Sequence, residues 1–177
     1  MEKQWLIRAQ QLDEAALAEI YDRYSDDLYR YAMRKLGDRQ QAEECVSETF
    51  MRFLQALHRG RGPRDHLRAY LYRIAHNWIT DQYRTQPPPS DSIDDVQIGD
   101  DSDLNLSLEQ QQDRAKVRQA MAQLTPDQQQ VISLKYFEGW KNREVAQALQ
   151  KPTGAIKSLQ HRALGALQRI LLAEEVG

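Results

Sequence analysis

Residues Arg64-Asp-His-Leu-Arg-Ala-Tyr-Leu-Tyr-Arg-Ile-Ala-His-Asn-Trp78 interleave aromatic rings with basic groups. Apolar helical spacing does not account for both Tyr70 and Tyr72. Rings beside arginines capture single-stranded nucleic acid, the bases stacking on the rings and the phosphates meeting guanidinium groups. Stacking contributes roughly 1–3 kcal/mol per base, so two or three captured bases offset the cost of unpairing them. The same residues also suit a helical core capped by tyrosines, and spacing alone leaves both readings open. Towards the C-terminus, Lys157, Ser158, His161 and Arg162 share the outward part of a long helical pattern. On the second helix of a helix-turn-helix, such side chains reach phosphates and base edges in a major groove. On an ordinary bundle they form a basic solvated face.

Catalysis finds little to work with. His58, His66, His76 and His161 are scattered with no His-x-x-x-His pair, and no phosphate-cradling glycine loop is present. Neither an enzyme nor a cofactor is expected. The single cysteine, Cys45, excludes an internal disulfide and a multi-cysteine metal site. It falls on an apolar helical stripe, where a thiol packs as a small hydrophobe.

The net charge of −2 conceals an asymmetry. Residues 1–85 hold 14 Lys/Arg and 13 Asp/Glu, and residues 110–177 hold 10 and 6. Residues 86–109 hold no Lys/Arg and 7 Asp/Glu, so one acidic segment masks two mildly basic ends. No apolar run approaches the roughly 18 residues of a spanning helix. Met1-Glu-Lys-Gln-Trp-Leu-Ile-Arg8 lacks the apolar core of a signal peptide. A cytoplasmic protein without membrane insertion is expected.

Helix formers dominate the elements that must carry these residues, and the chain reads as all-α. Gln86-Pro-Pro-Pro89 stops any arriving helix, and the acidic stretch to residue 109 is too polar to bury a core. It therefore reads as a linker between helical blocks over 1–85 and 110–177. In the first block, Asp13 caps a helix with Leu17, Ile20, Tyr24, Leu28 and Tyr31 on one face, room for a kink near Ser25, and an end at Leu36-Gly37. Asp38 caps a second helix, with Ala42, Cys45, Val46, Thr49, Phe50, Phe53 and Leu57 inward. Gly60-Arg-Gly-Pro63 breaks it, and a third helix starts near Asp65 with Leu67, Leu71, Ile74, Trp78 and Ile79 aligned.

In the second block a helix over residues 104–124 turns Val117, Ala120, Met121 and Leu124 inward. Thr125-Pro126 opens a further helix that runs to Tyr136-Phe137 and stops at Gly139. Asn142 caps a short helix to about Leu149. A turn at Gln150–Pro152 leads to a long helix from about Thr153 to Leu172, which is the helix-turn-helix layout. Ala146 allows a close crossing there, with Val145, Leu149, Ile156 and Leu159 or Leu164 as the wedge.

Leu71-Tyr-Arg-Ile-Ala-His-Asn77 resembles the Leu-Tyr-Arg-Ile-Ala-x-Asn signature of extracytoplasmic-function (ECF) sigma factors of the sigma-70 family. Gly37-Asp-Arg-Gln-Gln-Ala-Glu-Glu-Cys-Val-Ser-Glu-Thr-Phe-Met-Arg52 resembles that family's core-polymerase-binding helix. Leu124-Thr-Pro-Asp-Gln-Gln-Gln-Val-Ile132, Tyr136-Phe-Glu-Gly139, Glu144-Val-Ala146 and Gly154-Ala-Ile-Lys-Ser-Leu-Gln-His-Arg-Ala163 resemble its second domain.

The resemblance implies a region 2 helical bundle that binds the clamp helices of core RNA polymerase through Glu44, Ser47, Glu48, Phe50 and Arg52. The same domain would capture the unpaired −10 strand near Tyr70, Tyr72, Arg73, His76 and Asn77. A region 4 helix-turn-helix domain would dock on the polymerase flap and read the −35 element of promoter DNA with Lys157, Ser158, His161 and Arg162. The acidic linker would thread toward the active-site cleft as a mimic of nucleic acid, where a simple tether is the plainer alternative. An anti-sigma factor is an implied partner. Four positions depart from the family: Ser47 where Gln is frequent, Gln150 where Gly is usual, and Leu159-Gln160 in place of a basic-apolar pair. A duplex-binding regulator that never meets polymerase would leave the aromatic-basic helix and the acidic linker unexplained.

Overall fold

Three capping residues organise the first half of the chain. Asp13 Oδ1 accepts a hydrogen bond from Ala15 N at 3.1 Å and opens α2, Glu14–Leu36. Gly37 closes α2 in the left-handed conformation, φ 67°, which suits glycine. Asp38 Oδ1 accepts from Gln41 N at 2.9 Å and opens α3, Arg39–His58. The two-residue connection between α2 and α3 folds α3 back along α2. Ahead of them lies α1, Glu2–Gln10, an element not expected from sequence, and after them α4, Leu67–Thr85. This computed structural model describes residues 2–85 and 107–176, and the side chains up to residue 173. The expected linker therefore lies outside the described residues except at 107–109.

The N-terminal unit buries Leu6, Ile20, Leu28, Phe53, Leu57, Leu67, Leu71 and Ile79 almost completely. Each such side chain stabilises the fold by about 1.5–3 kcal/mol relative to exposure. Cys45 belongs to this core, where burial pushes its thiol up to about 12 and leaves it unreactive near neutral pH. α2 runs uninterrupted through Ser25, so the expected kink does not form; neither a proline nor an inserted residue disturbs its ladder. Gly62 sits so close to Leu57 that a Cβ there would lie 2.3 Å from Leu57 Cδ2, so any larger residue would force the Leu57 side chain to shift.

In the C-terminal unit, α5 spans Leu108–Ala122 and begins in a capping box, with Ser107 and Gln110 satisfying each other's backbone N–H groups. Residues 107–109, the last three of the expected 86–109 segment, thus form the cap and first turn of α5. Thr125 and Gln128 repeat the device at α6, Pro126–Ile132. Met121, Leu124, Ile132 and Ala163 form the core of this unit, flanked by Val117, Ala166, Leu167 and Ile170. The chain then widens into one π-helical turn, Ser133–Phe137, closed by Glu138 N–H to Ser133 O at 3.0 Å. That turn buries Ser133 and Leu134 and sends Tyr136 and Phe137 outward.

α7 spans Asn142–Leu149, one residue ahead of expectation. Lys141 is the capping position, its N–H held by Glu144 Oε1 at 3.1 Å, while Asn142 Oδ1 instead accepts from Lys135 Nζ at 2.7 Å. Gln150 adopts φ 56°, ψ 45°, the left-handed turn conformation that glycine would take more easily. α8, Thr153–Val176, follows. Val145 and Ala148 on α7 and Ile156 on α8 are buried, whereas Leu164 is exposed. No described helix is long and apolar enough to cross a membrane.

Candidate nucleic-acid and polymerase interfaces

The aromatic-basic helix α4 divides its residues between two faces. Tyr70, Arg73 and Asn77 recur at i, i+3 and i+7 on one stripe, the first two half-exposed and Asn77 exposed. The Arg73 guanidinium carbon stands 5.9 Å from the centre of the Tyr70 ring, and Phe53 supports that ring edge-on at 6.0 Å. Arg73 Nε is buried without a hydrogen-bond partner, while the residue as a whole is half-exposed. A ring braced from below with a cation beside it is a surface on which a base can stack.

Tyr72 and His76 face the other way, which corrects two of the five expected strand contacts. Tyr72 is 2% exposed and packs edge-on against Tyr31 with centroids 4.9 Å apart. His76 is 8% exposed, and its Nδ1 lies 3.3 Å from Lys35 Nζ. Burial, reinforced by the Lys35 charge, pushes His76 down to about 2, so the imidazole is neutral and accepts from the ammonium. Lys35 also rests 4.5 Å from the centre of the Tyr31 ring, and the Tyr83 hydroxyl donates to the Lys35 carbonyl. These groups form a polar network inside the bundle, in which Tyr72 and His76 are both buried.

The loop ahead of α4 adds Arg59 and Arg61, which the sequence reading did not single out, and both are exposed there, as are Arg64 and His66. His58-Arg-Gly-Arg-Gly-Pro-Arg64 reads first as a helix breaker, yet its basic density was a usable signal.

On α3, Glu44 and Ser47 are exposed, Glu48 and Arg52 are half-exposed, and Arg52 Nε pairs with Glu48 Oε1 at 3.2 Å. Phe50 departs from the expectation: it is 9% exposed and sits 4.9 Å from the Tyr21 ring, inside the α2–α3 contact. Met51, at 53% exposure, and Leu54, at 40%, take its place on the Glu44–Ser47–Glu48 stripe, with Tyr21 exposed beside Phe50. An apolar strip with an acidic end is a surface suited to a partner helix.

In the C-terminal unit, Lys157, Ser158, His161 and Arg162 are all exposed on α8, as expected. Gln160 Nε2 donates to the Tyr136 hydroxyl at 2.7 Å, so the π-helical turn braces the flank of this exposed face. Among the described residues no group of three or more His, Cys, Asp or Glu is arranged to hold a metal.

Two helical units, one with a ringed and basic helix face and one with a helix-turn-helix, are the build of a sigma-70-type transcription initiation factor. Residues 20–87 match the family Sigma-70 region 2, and residues 114–167 match Sigma-70, region 4. The ECF RNA polymerase sigma factor SigL of Mycobacterium tuberculosis is 32% identical over 170 residues, covering 93% of each chain. The ECF RNA polymerase sigma factor BldN of Streptomyces coelicolor is 32% identical over 175 residues, and the alignment covers 93% of this chain but 63% of BldN. Among solved structures, CnrH in complex with the cytosolic domain of CnrY shares the fold, with a TM-score of 0.68, 22% identity and 97% of each chain covered. The chain belongs to the ECF sigma factors of the sigma-70 family.

Proposed function

We propose that this chain acts in the cytoplasm, binds core RNA polymerase, directs it to promoters and opens the −10 element, with no catalytic step of its own. The observation that carries the reading is the Tyr70–Arg73–Asn77 stripe beside exposed Arg59, Arg61 and Arg64, in a chain of this family. Residues 1–85 act as the region 2 module and residues from 107 onward as the region 4 module, the acidic segment between them serving as linker. Tyr70, Arg73 and Asn77 take the unpaired strand. Tyr72 and His76 keep the bundle in shape beneath them. Lys157, Ser158, His161 and Arg162 read the −35 duplex, each good bidentate base contact being worth about 1–3 kcal/mol.

Polymerase binding is assigned to the α3 surface of Glu44, Ser47, Glu48, Arg52, Met51 and Leu54, with Phe50 acting from beneath through Tyr21. The six carboxylates of residues 86–106 suit a path through a basic channel of the polymerase. An anti-sigma factor that covers the α3 strip accounts for regulation; CnrH was solved with the cytosolic domain of CnrY, which supports the same kind of partner here.

The test is reconstitution with core RNA polymerase, followed by mapping of transcription starts across genomic DNA. Discrete starts that share −35 and −10 elements are expected. Strong specific binding to duplex DNA without polymerase, and no change in start sites with it, would instead establish an ordinary duplex-binding regulator.

A further inference from the structure

Helix α1 does more than bury Leu6 and Ala9. Glu2 Oε1 accepts a hydrogen bond from Leu67 N at 2.7 Å, across 65 residues of chain. Gln10 Nε2 donates to Pro63 O at 3.4 Å. α1 therefore holds the basic loop at one point within it and again at the first residue of α4.

That first residue needs an outside partner. The opening N–H groups of a helix have no acceptor within the helix, and that of Leu67 is taken by Glu2. His66, immediately before α4, has a left-handed backbone with φ 50°, and the Asp65 carboxylate turns toward His66 Nε2, 3.8 Å away. Tyr70 N–H closes the first turn on His66 O at 3.1 Å, so the placement of His66 and Leu67 sets the placement of the Tyr70 ring. A carboxylate is the favoured acceptor at that end because the helix dipole is positive there.

We infer that Glu2 is a positioning residue for strand capture: through the Leu67 N–H it fixes where α4 begins, and hence how Arg64, Tyr70 and Arg73 are presented to the unpaired strand. The inference rests on the strand-gripping role given to α4 above. Gln10 contributes a second, weaker tie through Pro63.

The experiment uses full-length chain with core polymerase on a promoter that the wild type opens. Core affinity is measured alongside the rate at which −10 thymines become permanganate-reactive in bound complexes, a rate that the folded fraction of the chain does not alter. Glu2→Ala should slow opening about three- to tenfold, as expected for loss of one charge-assisted cap, with core affinity unchanged. Glu2→Gln keeps an acceptor oxygen and should stay within about twofold of the wild type. Gln10→Ala, an exposed change that leaves the core intact, should slow opening in the same direction. Wild-type opening by Glu2→Ala, equal slowing by Glu2→Gln, or slowing that merely tracks lost core affinity would each overturn the inference. If the wild type binds core polymerase yet opens no promoter, the strand-gripping role itself fails.

Discussion

Tyr70 and Tyr72, two residues apart on α4, should respond to truncation in opposite ways. Tyr72 is 2% exposed and pairs edge-on with Tyr31 at 4.9 Å, so Tyr72→Ala opens a cavity in the bundle core. Losing a buried aromatic costs about 3–5 kcal/mol, a large share of the stability of a domain this size. Tyr70 is half-exposed, and its contacts are Phe53 at 6.0 Å and Arg73 at 5.9 Å. Tyr70→Ala should cost only about 1–2 kcal/mol of stability. Its main loss is the stacking platform, about 1–3 kcal/mol per base, or roughly five- to 150-fold in affinity for a −10 single strand. Urea unfolding supplies the first quantity, and titration of the reconstituted holoenzyme with single-stranded non-template DNA supplies the second. If Tyr72→Ala proves as stable as Tyr70→Ala, or Tyr70→Ala binds the strand as tightly as wild type, the division of α4 into a packed and a gripping face is wrong.

Further outcomes follow from the buried pair and the strained turn. An unfolded histidine takes up its proton near pH 6.5, whereas His76 in the fold stays neutral down to about 2. The unfolded chain therefore binds one more proton in that window, and His76 lowers stability by about 1.4 kcal/mol per pH unit as pH falls below 6.5. His76→Asn, which keeps an acceptor for Lys35 but does not titrate, should unfold with a shallower pH dependence between 6.5 and 4; an unchanged slope would contradict the buried neutral imidazole. Gln150→Gly relieves a left-handed non-glycine residue at φ 56°. After the entropic cost of glycine, it should stabilise the C-terminal unit by about 0.5–1 kcal/mol, while Gln150→Val should destabilise it, both read as shifts in Tm.

Local signals carried much of the architecture. Asp13, Gly37, Asp38 and Thr125-Pro126 mark helix ends through contacts within a few residues, and each end lies where those residues place it. The elements missed were those held from afar. α1 is only nine residues long, too short for a distinct apolar stripe, and Glu2 ties it to Leu67 across the chain. The π-helical turn at Ser133–Phe137 leaves no periodicity of its own, so Tyr136 reaches Gln160 without any warning in the pattern.

The outward face of α8 was legible because Lys157, Ser158, His161 and Arg162 are polar while Ile156 and Ala163 are apolar and buried. α4 was harder to read. Aromatic side chains suit a core as well as a surface, and only Tyr31, supplied by α2, decides that Tyr72 is the inward ring. Phe50 was misplaced for the same reason, since Tyr21 covers it from the neighbouring helix.

The central claim is that one unit holds a melted strand while the other reads an intact groove, both on polymerase. Footprinting one promoter with holoenzymes carrying wild-type chain, Asn77→Ala or Arg162→Ala tests it most directly, with nuclease protection reporting −35 contact and permanganate reporting −10 opening. Asn77→Ala should keep upstream protection and lose thymine reactivity, whereas Arg162→Ala should weaken upstream protection by roughly 1–3 kcal/mol of binding. Equal loss of polymerase affinity in both variants, with no separation of the two signals, would contradict the account.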